Sequence, residues 1–506
     1  MKLFTRTEMQ RLEAAAESSG VSLAAMMDNA GTALAQEAQA RWGPLTERSV
    51  VLLCGKGNNG GDGFICAARL AQWGASCTVL LLHGRPQSSL AQGAFSHMPA
   101  SVQVIDATQA PAHAEDALSS AEVAVDCVFG FGFQGQLDET SAHYLELANA
   151  LPCRRIAADL PSGVECDTAR VSPGAFRAHV TVAFTAEKPA HRSYPAMELC
   201  GQTVVRPVGI PQALTRSART LVSLNSPEIA RPLLLSPGAL ANKGDLGHLL
   251  LVCGSYGMAG ACIMAAKAAL RCGIGLLHIA ADSRIYPILA AAVPEAVYTV
   301  LDLAAPATAQ DKLAATLESC TACVIGCGLG ELASHLCPVV FSHPRVPLLI
   351  DADGLNFCAR QGFVPDTAGL PLVITPHPGE AARLTGRTPG EIQQDRIGTA
   401  QRLAEQFGGV ALLKGAATVI AAPNGRLAIN PTGNPGMAKG GSGDVLAGII
   451  GTFLAQGAGG FPAATAGAYI HGLAGDLCRE KLSARAMLPT DLIQYLPEII
   501  KNFESR

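Results

Sequence analysis

The chain has 506 residues, of which 49% are hydrophobic and 15% charged, with a formal net charge of −4 at pH 7. So apolar a composition excludes a disordered or fibrous chain, and the slight acidity argues against broad electrostatic binding of nucleic acid. At roughly 150 residues per domain, the length predicts two or three domains.

The first forty residues read as two helices, TRTEMQRLEAAAES and VSLAAMMDNAGTALAQEAQARW, with Ser22 as the second cap. MKLFTRTEMQ lacks the long apolar core of a secretory signal. Most of the 16 cysteines sit in apolar runs such as VVLLC and ACVIGC, where Cys serves as a small hydrophobe. A cytoplasmic protein with free thiols is expected. After Pro44, the short apolar strands SVVLLC, CTVLLL, VQVID, VAVDCVFG, RRIAADL and VTVAFT alternate with helical or loop stretches to about residue 210. That alternation predicts a parallel sheet with helices on its faces.

Residues 211–240 are Pro- and Ser-rich with no clear period, which predicts a linker. The expected division is a first domain over 1–215, a linker over 216–225 and a second α/β domain over 226–506. The second series runs HLLLVCG, GLLHIAA, CVIGCG, VPLLIDADG, PLVITPH, VALLKG and ATVIAA. Residues 445–473 are nearly free of charge and long enough to span a bilayer. They are rich in Ala and Gly, carry Gln456 and Pro462, and end in Asp444 and Asp476. Two buried helices joined by a turn at 457–460 are therefore expected, with no membrane partner. Cys320, Cys323 and Cys327 have a metal-like spacing, but they lie in a strand entering a glycine turn and no second CxxC pair follows. No zinc is expected there.

In SVVLLCGKGNNGGDGFICAARLAQWG a strand passes through a glycine loop into a helix, and Gly55, Gly57 and Gly60 match GxGxxG. A redox dinucleotide site would place an acid at the end of the next strand, where this chain has His83 and Arg85. The loop adds the amides of Asn58 and Asn59 and the carboxylate of Asp62, oxygen donors that suit a hard cation. An ordinary Asn-Gly/Asp-Gly turn is the competing reading. Two further strands, VAVDC and RRIAADLPSG, end in Asp126 and in Asp159, Ser162 and Gly163. Open α/β sheets place their ligands at such C-terminal strand ends.

With GNNGGDG, VDCVFG and DLPSG in hand, residues 1–215 resemble the NAD(P)HX epimerases, Rossmann-like three-layer α/β/α domains. That family interconverts the R and S epimers of NADH or NADPH hydrated on the nicotinamide ring. The resemblance implies substrate contacts at Asn58, Asn59, Gly60, Gly61 and Asp62. It extends them to Gly130, Phe131, Gly132, Phe133, Gln134, Gly135 and Gln136, and to Asp159, the expected acid/base group. It also implies K+ held by Asn59, Asp126 and Ser162.

In the second half, Gly254, Gly257 and Gly260 follow a strand, as do Gly326, Gly328 and Gly330. These loops suit either a ligand or close helix packing. Asp351 and Asp353 end another strand, and His377 is locked between Pro376 and Pro378. Lys414 ends VALLK, followed by Gly415 and Thr418. GMAKGGSGDVLAG is the most informative stretch. Its glycine turn feeds a helix whose free N–H groups stabilise phosphate, and Asp444 in the first turn points a carboxylate at the same place. There it can take a proton from a hydroxyl nucleophile.

This turn is similar to the anion hole of ribokinase-like kinases, and TPHPGE, LLKG and NPGMAKGGSGD look like the NAD(P)HX dehydratase branch. The resemblance implies substrate contacts at Ala261, Gly328, His377 and Asp444, with Asp444 catalytic. It implies nucleotide contacts at Lys414, Gly415, Ala416, Ala417, Thr418 and Gly443. ADP is the expected co-substrate, with Mg2+ on its phosphates. The leading expectation is a bifunctional, homo-oligomeric repair enzyme acting on NADHX and NADPHX. The alternatives are a vitamin-precursor kinase with an appended binding domain, and a non-catalytic scaffold of the kind a similar domain provides in mRNA decapping.

Overall fold

The computed structural model describes residues 1–234, 236–342 and 345–504, so residue 235 of the expected linker stretch lies outside the described residues. The chain forms two compact units, residues 2–222 and residues 223–506, the second joined by Met1.

The first unit is built on seven strands: β1 (Ser49–Cys54), β2 (Ser76–Leu81), β3 (Gln103–Asp106), β4 (Val123–Cys127), β5 (Arg154–Ala158), β6 (Val180–Phe184) and β7 (Gln202–Arg206). Their order is β3-β2-β1-β4-β5-β6-β7, every neighbour parallel. The continuous apolar character of SVVLLC follows from cover on both faces. Val50, Leu52 and Cys54 join a core with the helices Leu23–Trp42 and Asn58–Gln72, while Val51 and Leu53 join another with Ala114, Leu118 and Leu145. Because β1 and β4 are neighbours, the winding reverses between them and opens a crevice at their C-terminal ends.

The second unit carries β8 (Val222–Leu224), β9 (His248–Val252), β10 (Leu276–Asp282), β11 (Val297–Leu301), β12 (Ala322–Ile325), β13 (Leu348–Ile350), β14 (Leu372–Ile374), β15 (Val410–Leu413), β16 (Val419–Ala421) and β17 (Leu427–Ile429). The order is β11-β10-β9-β12-β13-β14-β15-β16-β17-β8. From β11 to β15 all neighbours are parallel, then β16 and β17 run antiparallel. The connections into β16 and β17 are too short for crossover helices, so hairpins are the only solution. The reversal point here lies between β9 and β12.

The apolar stretch near the C-terminus forms helices Ser442–Ala455 and Gly460–Leu482. Residues 445–455 are all buried, and Gly448 lies flat against the backbone of Ala265 in helix Ala259–Arg271. Among the described residues no helix is long and apolar enough to cross a membrane.

Four strands have no counterpart in the hydrophobic pattern. β7 and β11 are edge strands, partly open to water and therefore mixed in composition, while β8 and β17 are three residues long. The stretch read as linker holds helix Gln212–Ser217, β8, helix Pro227–Ala230 and the 3-10 turn Arg231–Leu233. Each is too short to establish a period. Asn225 is buried, its Nδ2 donating to Asn430 Oδ1 at 3.0 Å and to the Thr465 carbonyl at 2.7 Å.

Candidate active sites

In the first unit the chain leaves β1 and enters helix Asn58–Gln72 at once, with Gly57 at the cap. A Cβ on Gly60 would overlap the Gly55 carbonyl, and one on Gly61 would meet Met27 Sδ at 2.6 Å. These glycines let the helix start against the loop. Past β4, a Cβ on Gly130 would stand 2.9 Å from Asn59 Oδ1, so the second glycine loop closes over the Asn59 amide. Asn58, Asn59 and Asp62 line a cleft of about 700 Å³ together with Gly130, Phe131, Gly132, Phe133, Gln134, Gln136 and Asp159. Gly60, Gly61 and Gly135 do not line it. Gly135 instead donates its N–H to Glu165 at 2.9 Å.

Asp126, at the end of β4, is fully buried beneath this cleft. Its Oδ1 accepts from Ser162 Oγ at 2.6 Å and Val128 N at 3.1 Å, and its Oδ2 from Ser162 N at 2.7 Å. Burial pushes its pKa up to about 6, with these hydrogen bonds opposing. Among the described residues no ion pair reaches Asp126. The Asn59 Nδ2 is buried without a partner.

Asp159 follows β5 in the left-handed region, φ 63°, a conformation uncommon for a residue with a side chain. Oδ1 accepts from Phe184 N at 3.1 Å and from Lys188 Nζ, while Oδ2 is buried and unpartnered. Lys188 is fully buried and also donates to the Phe184 carbonyl at 2.9 Å. His191 Nδ1 accepts from Lys188 N at 2.9 Å, which leaves Nε2–H to donate to the Asp159 carbonyl at 2.7 Å. Burial, with Lys188 beside it, holds His191 down to about 4, so the ring is neutral and acts as a brace. Glu13 also lines the cleft, and burial, aided by Asp159, raises its carboxyl to about 6. Burial, Asp159 and Glu13 together push Asp62 well above the usual carboxylate range.

In the second unit the loops after β9 and β12 meet. Ser255 Oγ donates to the Gly328 carbonyl at 2.9 Å, and a Cβ on Gly328 (φ 63°) would stand 2.8 Å from the Ala261 Cβ. Asp351, past β13, is buried and accepts at Oδ1 from Thr375 Oγ1 at 2.9 Å and from Lys414 Nζ at 2.6 Å. Lys414 also faces Glu380 at 3.7 Å. Burial works against its ammonium, but Asp351 and Glu380 outweigh it and the pKa stands above its ordinary value. His377 caps helix Pro378–Thr385, its ring exposed and 3.3 Å from Glu380. Gly415 (φ 140°) lies against the guanidinium of the buried Arg396, which donates to the carbonyls of Leu413 and Lys414 at 3.2 and 3.3 Å. Ala416 and Ala417 form the hairpin turn, and Thr418 Oγ1 bonds back to the Gly415 carbonyl at 2.9 Å.

Asp444 is the third residue of helix Ser442–Ala455, and its carboxylate shares one spot with Asp351 and the Cys327 thiol, all within 4.8 Å. Burial, then the Asp351 charge, raises its pKa to about 6 against a Cys327 hydrogen bond and Lys414. A Cβ on Gly443 would lie 3.3 Å from Lys414 Nζ, so the cation and the glycine turn share that corner. The three spaced cysteines do not converge. Cys320 lies beside His248, Cys323 is inside β12 and Cys327 faces Asp351.

Sequence reasoning missed Lys188, His191 and Glu13, and it did not join Lys414 to Asp351. Lys188 follows β6, the same strand-end signal that pointed to Asp159, but a loop lysine reads as a solvent-facing residue.

Residues 249–498 match the family model described as NAD(P)H-hydrate dehydratase, and residues 23–190 match the YjeF-related protein N-terminus. The chain is 37% identical to a bifunctional NAD(P)H-hydrate repair enzyme from Moorella thermoacetica, over 100% of this chain and 97% of that one. It is 35% identical to the Escherichia coli (strain K12) protein of the same description, over 96% and 91%. The structure of ADP/ATP-dependent NAD(P)H-hydrate dehydratase from Bacillus subtilis, co-crystallised with ATP/Mg2+, superposes with a TM-score of 0.51 at 34% identity, over 56% of this chain and 99% of that one. With relatives of this identity aligned along nearly the full length of both proteins, the chain belongs to the family of bifunctional NAD(P)H-hydrate repair enzymes.

Proposed function

We propose that residues 2–222 interconvert the R and S epimers of hydrated NADH and NADPH, and that residues 223–506 dehydrate the S epimer at the expense of ADP, giving AMP and phosphate. The observation that carries the reading is the meeting of Asp444, the glycine turn at 440–443 and the Lys414–Asp351 pair in one corner.

In the dehydratase unit Asp444 takes the proton of the ring hydroxyl, whose oxygen then attacks the terminal phosphorus of ADP and releases AMP. The N–H groups opening helix Ser442–Ala455 stabilise the transferred charge. Loss of the proton on the neighbouring carbon with cleavage of the C–O bond releases phosphate and restores the ring double bond. Lys414 and residues 415–418 and 443 hold the nucleotide, while Ala261, Gly328 and His377 border the substrate. Asp351 offers oxygen donors that suit Mg2+, whereas the Cys327 thiol does not. The ion supplies charge neutralisation on the phosphates.

In the epimerase unit Asp159 lines the cleft and its Oδ2 has no partner, and we assign it the proton exchange at the ring hydroxyl as its C–O bond breaks and re-forms. Lys188 holds Oδ1 and so aims Oδ2. Asp126 is a buried carboxylate without a cationic partner, bonded to the Ser162 hydroxyl, and with the Asn59 amide oxygen these are oxygen donors of the kind that suit K+. Asn59, Asp126 and Ser162 would hold the ion, whose charge offsets that of the buried carboxylate.

The test is incubation of the full chain with mixed R and S NADHX, ADP and Mg2+. Regained reduced-nicotinamide absorbance beyond the S fraction establishes both activities. Recovery that stops at the S fraction removes the epimerase half, and a stable phosphorylated product points to a kinase instead.

A further inference from the structure

Hydrated NADH is a dinucleotide, and the corner around Asp444 accommodates its nicotinamide end beside the ADP phosphates. Along the C-terminal edge of the sheet, the side toward β15 is taken by the turn 414–418, where ADP is placed above. In the other direction the strands run β12, β9, β10, β11.

The loop after β9 carries Tyr256, 74% exposed, with the Arg284 guanidinium carbon 5.6 Å from its ring centroid. Arg284 follows β10 and is itself fixed by Asp282, to which it donates from Nε at 2.9 Å and Nη2 at 2.6 Å. A single exposed aromatic is ordinary. This one differs in having a braced cation against one face and the other face open, at the end of the loop whose Ser255 bonds to Gly328. Beyond it lies a cleft of about 360 Å³ between the ends of β10 and β11, bordered by Asp282, Arg284, Asp302 and His335.

We infer that Tyr256, Arg284 and this cleft form the subsite for the adenosine half of the hydrated dinucleotide. The inference rests on the dehydratase reading above. The open Tyr256 face stacks on adenine, a contact any purine can make. Asp302, exposed on the cleft border, stands where a ribose hydroxyl can donate to it, while Asp282 is taken up in holding Arg284.

The experiment compares S-NADHX with the hydrated form of reduced nicotinamide mononucleotide, which lacks the adenosine half, at saturating ADP and Mg2+. Tyr256→Ala is expected to raise KM for S-NADHX about 5- to 150-fold, the range of one lost base–aromatic stack. KM for the mononucleotide hydrate and for ADP stays within twofold, and Tyr256→Phe keeps the wild-type KM. Unchanged KM for S-NADHX, or an equal rise for both substrates, overturns the subsite. Failure of the wild-type chain to convert S-NADHX at all would instead overturn the dehydratase reading. KM for ADP and the rate on the mononucleotide hydrate report that the variant unit is folded.

Discussion

A carboxylate that titrates near 6 is almost wholly ionised at neutral pH, yet far more basic than an exposed Asp, which suits a proton acceptor working beside phosphate. Asp444→Asn keeps the shape and removes the base. The dehydratase kcat should fall about 10²- to 10⁴-fold while the epimerase rate is untouched. In the wild type the base works only when deprotonated, so kcat should rise with pH through about 6 and level off above it. A flat profile down to pH 5 would remove Asp444 from the role. At the other site, Lys188 and Asp159 are a fully buried pair. Lys188→Met leaves an uncompensated carboxylate in the interior and should cost about 3–5 kcal/mol, measured as denaturant unfolding of the first unit. Adding Asp159→Asn should recover most of that stability but none of the epimerase activity. Asp126, Asp159 and Ser162 stood out in the sequence because oxygen donors gather at several strand ends of one parallel sheet, where open α/β sheets place ligands. Lys188 did not, because nothing in TAEKPAHR says that the fold removes this ammonium from water.

At the scale of elements, Asp444, the base proposed here, is only as well placed as the helix that bears it. Helix Ser442–Ala455 reaches its position because Gly448 lets it lie against the Ala265 backbone and Gly451 leaves room for Val324 and Leu249. Gly448→Val should push the two helices apart at about 1–3 kcal/mol, lowering the dehydratase kcat with the epimerase rate intact. An unaltered kcat would mean that the helix start is anchored independently of its middle. The sequence announced this helix and its partner through sheer apolarity, and β1 or β9 through unbroken runs that need cover on both faces. It was silent on β7 and β11 because an edge strand half in water has no such run. It was silent on β8 and β17 because three residues carry no period.

For the whole molecule, the division into residues 2–222 and 223–506 predicts separable activities. A fragment beginning at Ser223 should dehydrate S-NADHX and stall on the R form. One beginning at Pro227 should be less stable, because losing Asn225 strands the buried Asn430 Oδ1 and the Thr465 carbonyl that accept from it. Equal stability of the two fragments would show that the β8 segment is dispensable. All sixteen cysteines are buried, and burial pushes Cys77 and Cys272, one in each unit, up to about 12. Folded chains therefore offer a thiol reagent almost no thiolate. Each sulfur is a stopwatch that starts only when its surroundings open. Colour release from a chromogenic disulfide should be absent at first and then appear in two phases, one per unit. Ligand for either site, added alone, should slow one phase and leave the other at its own pace.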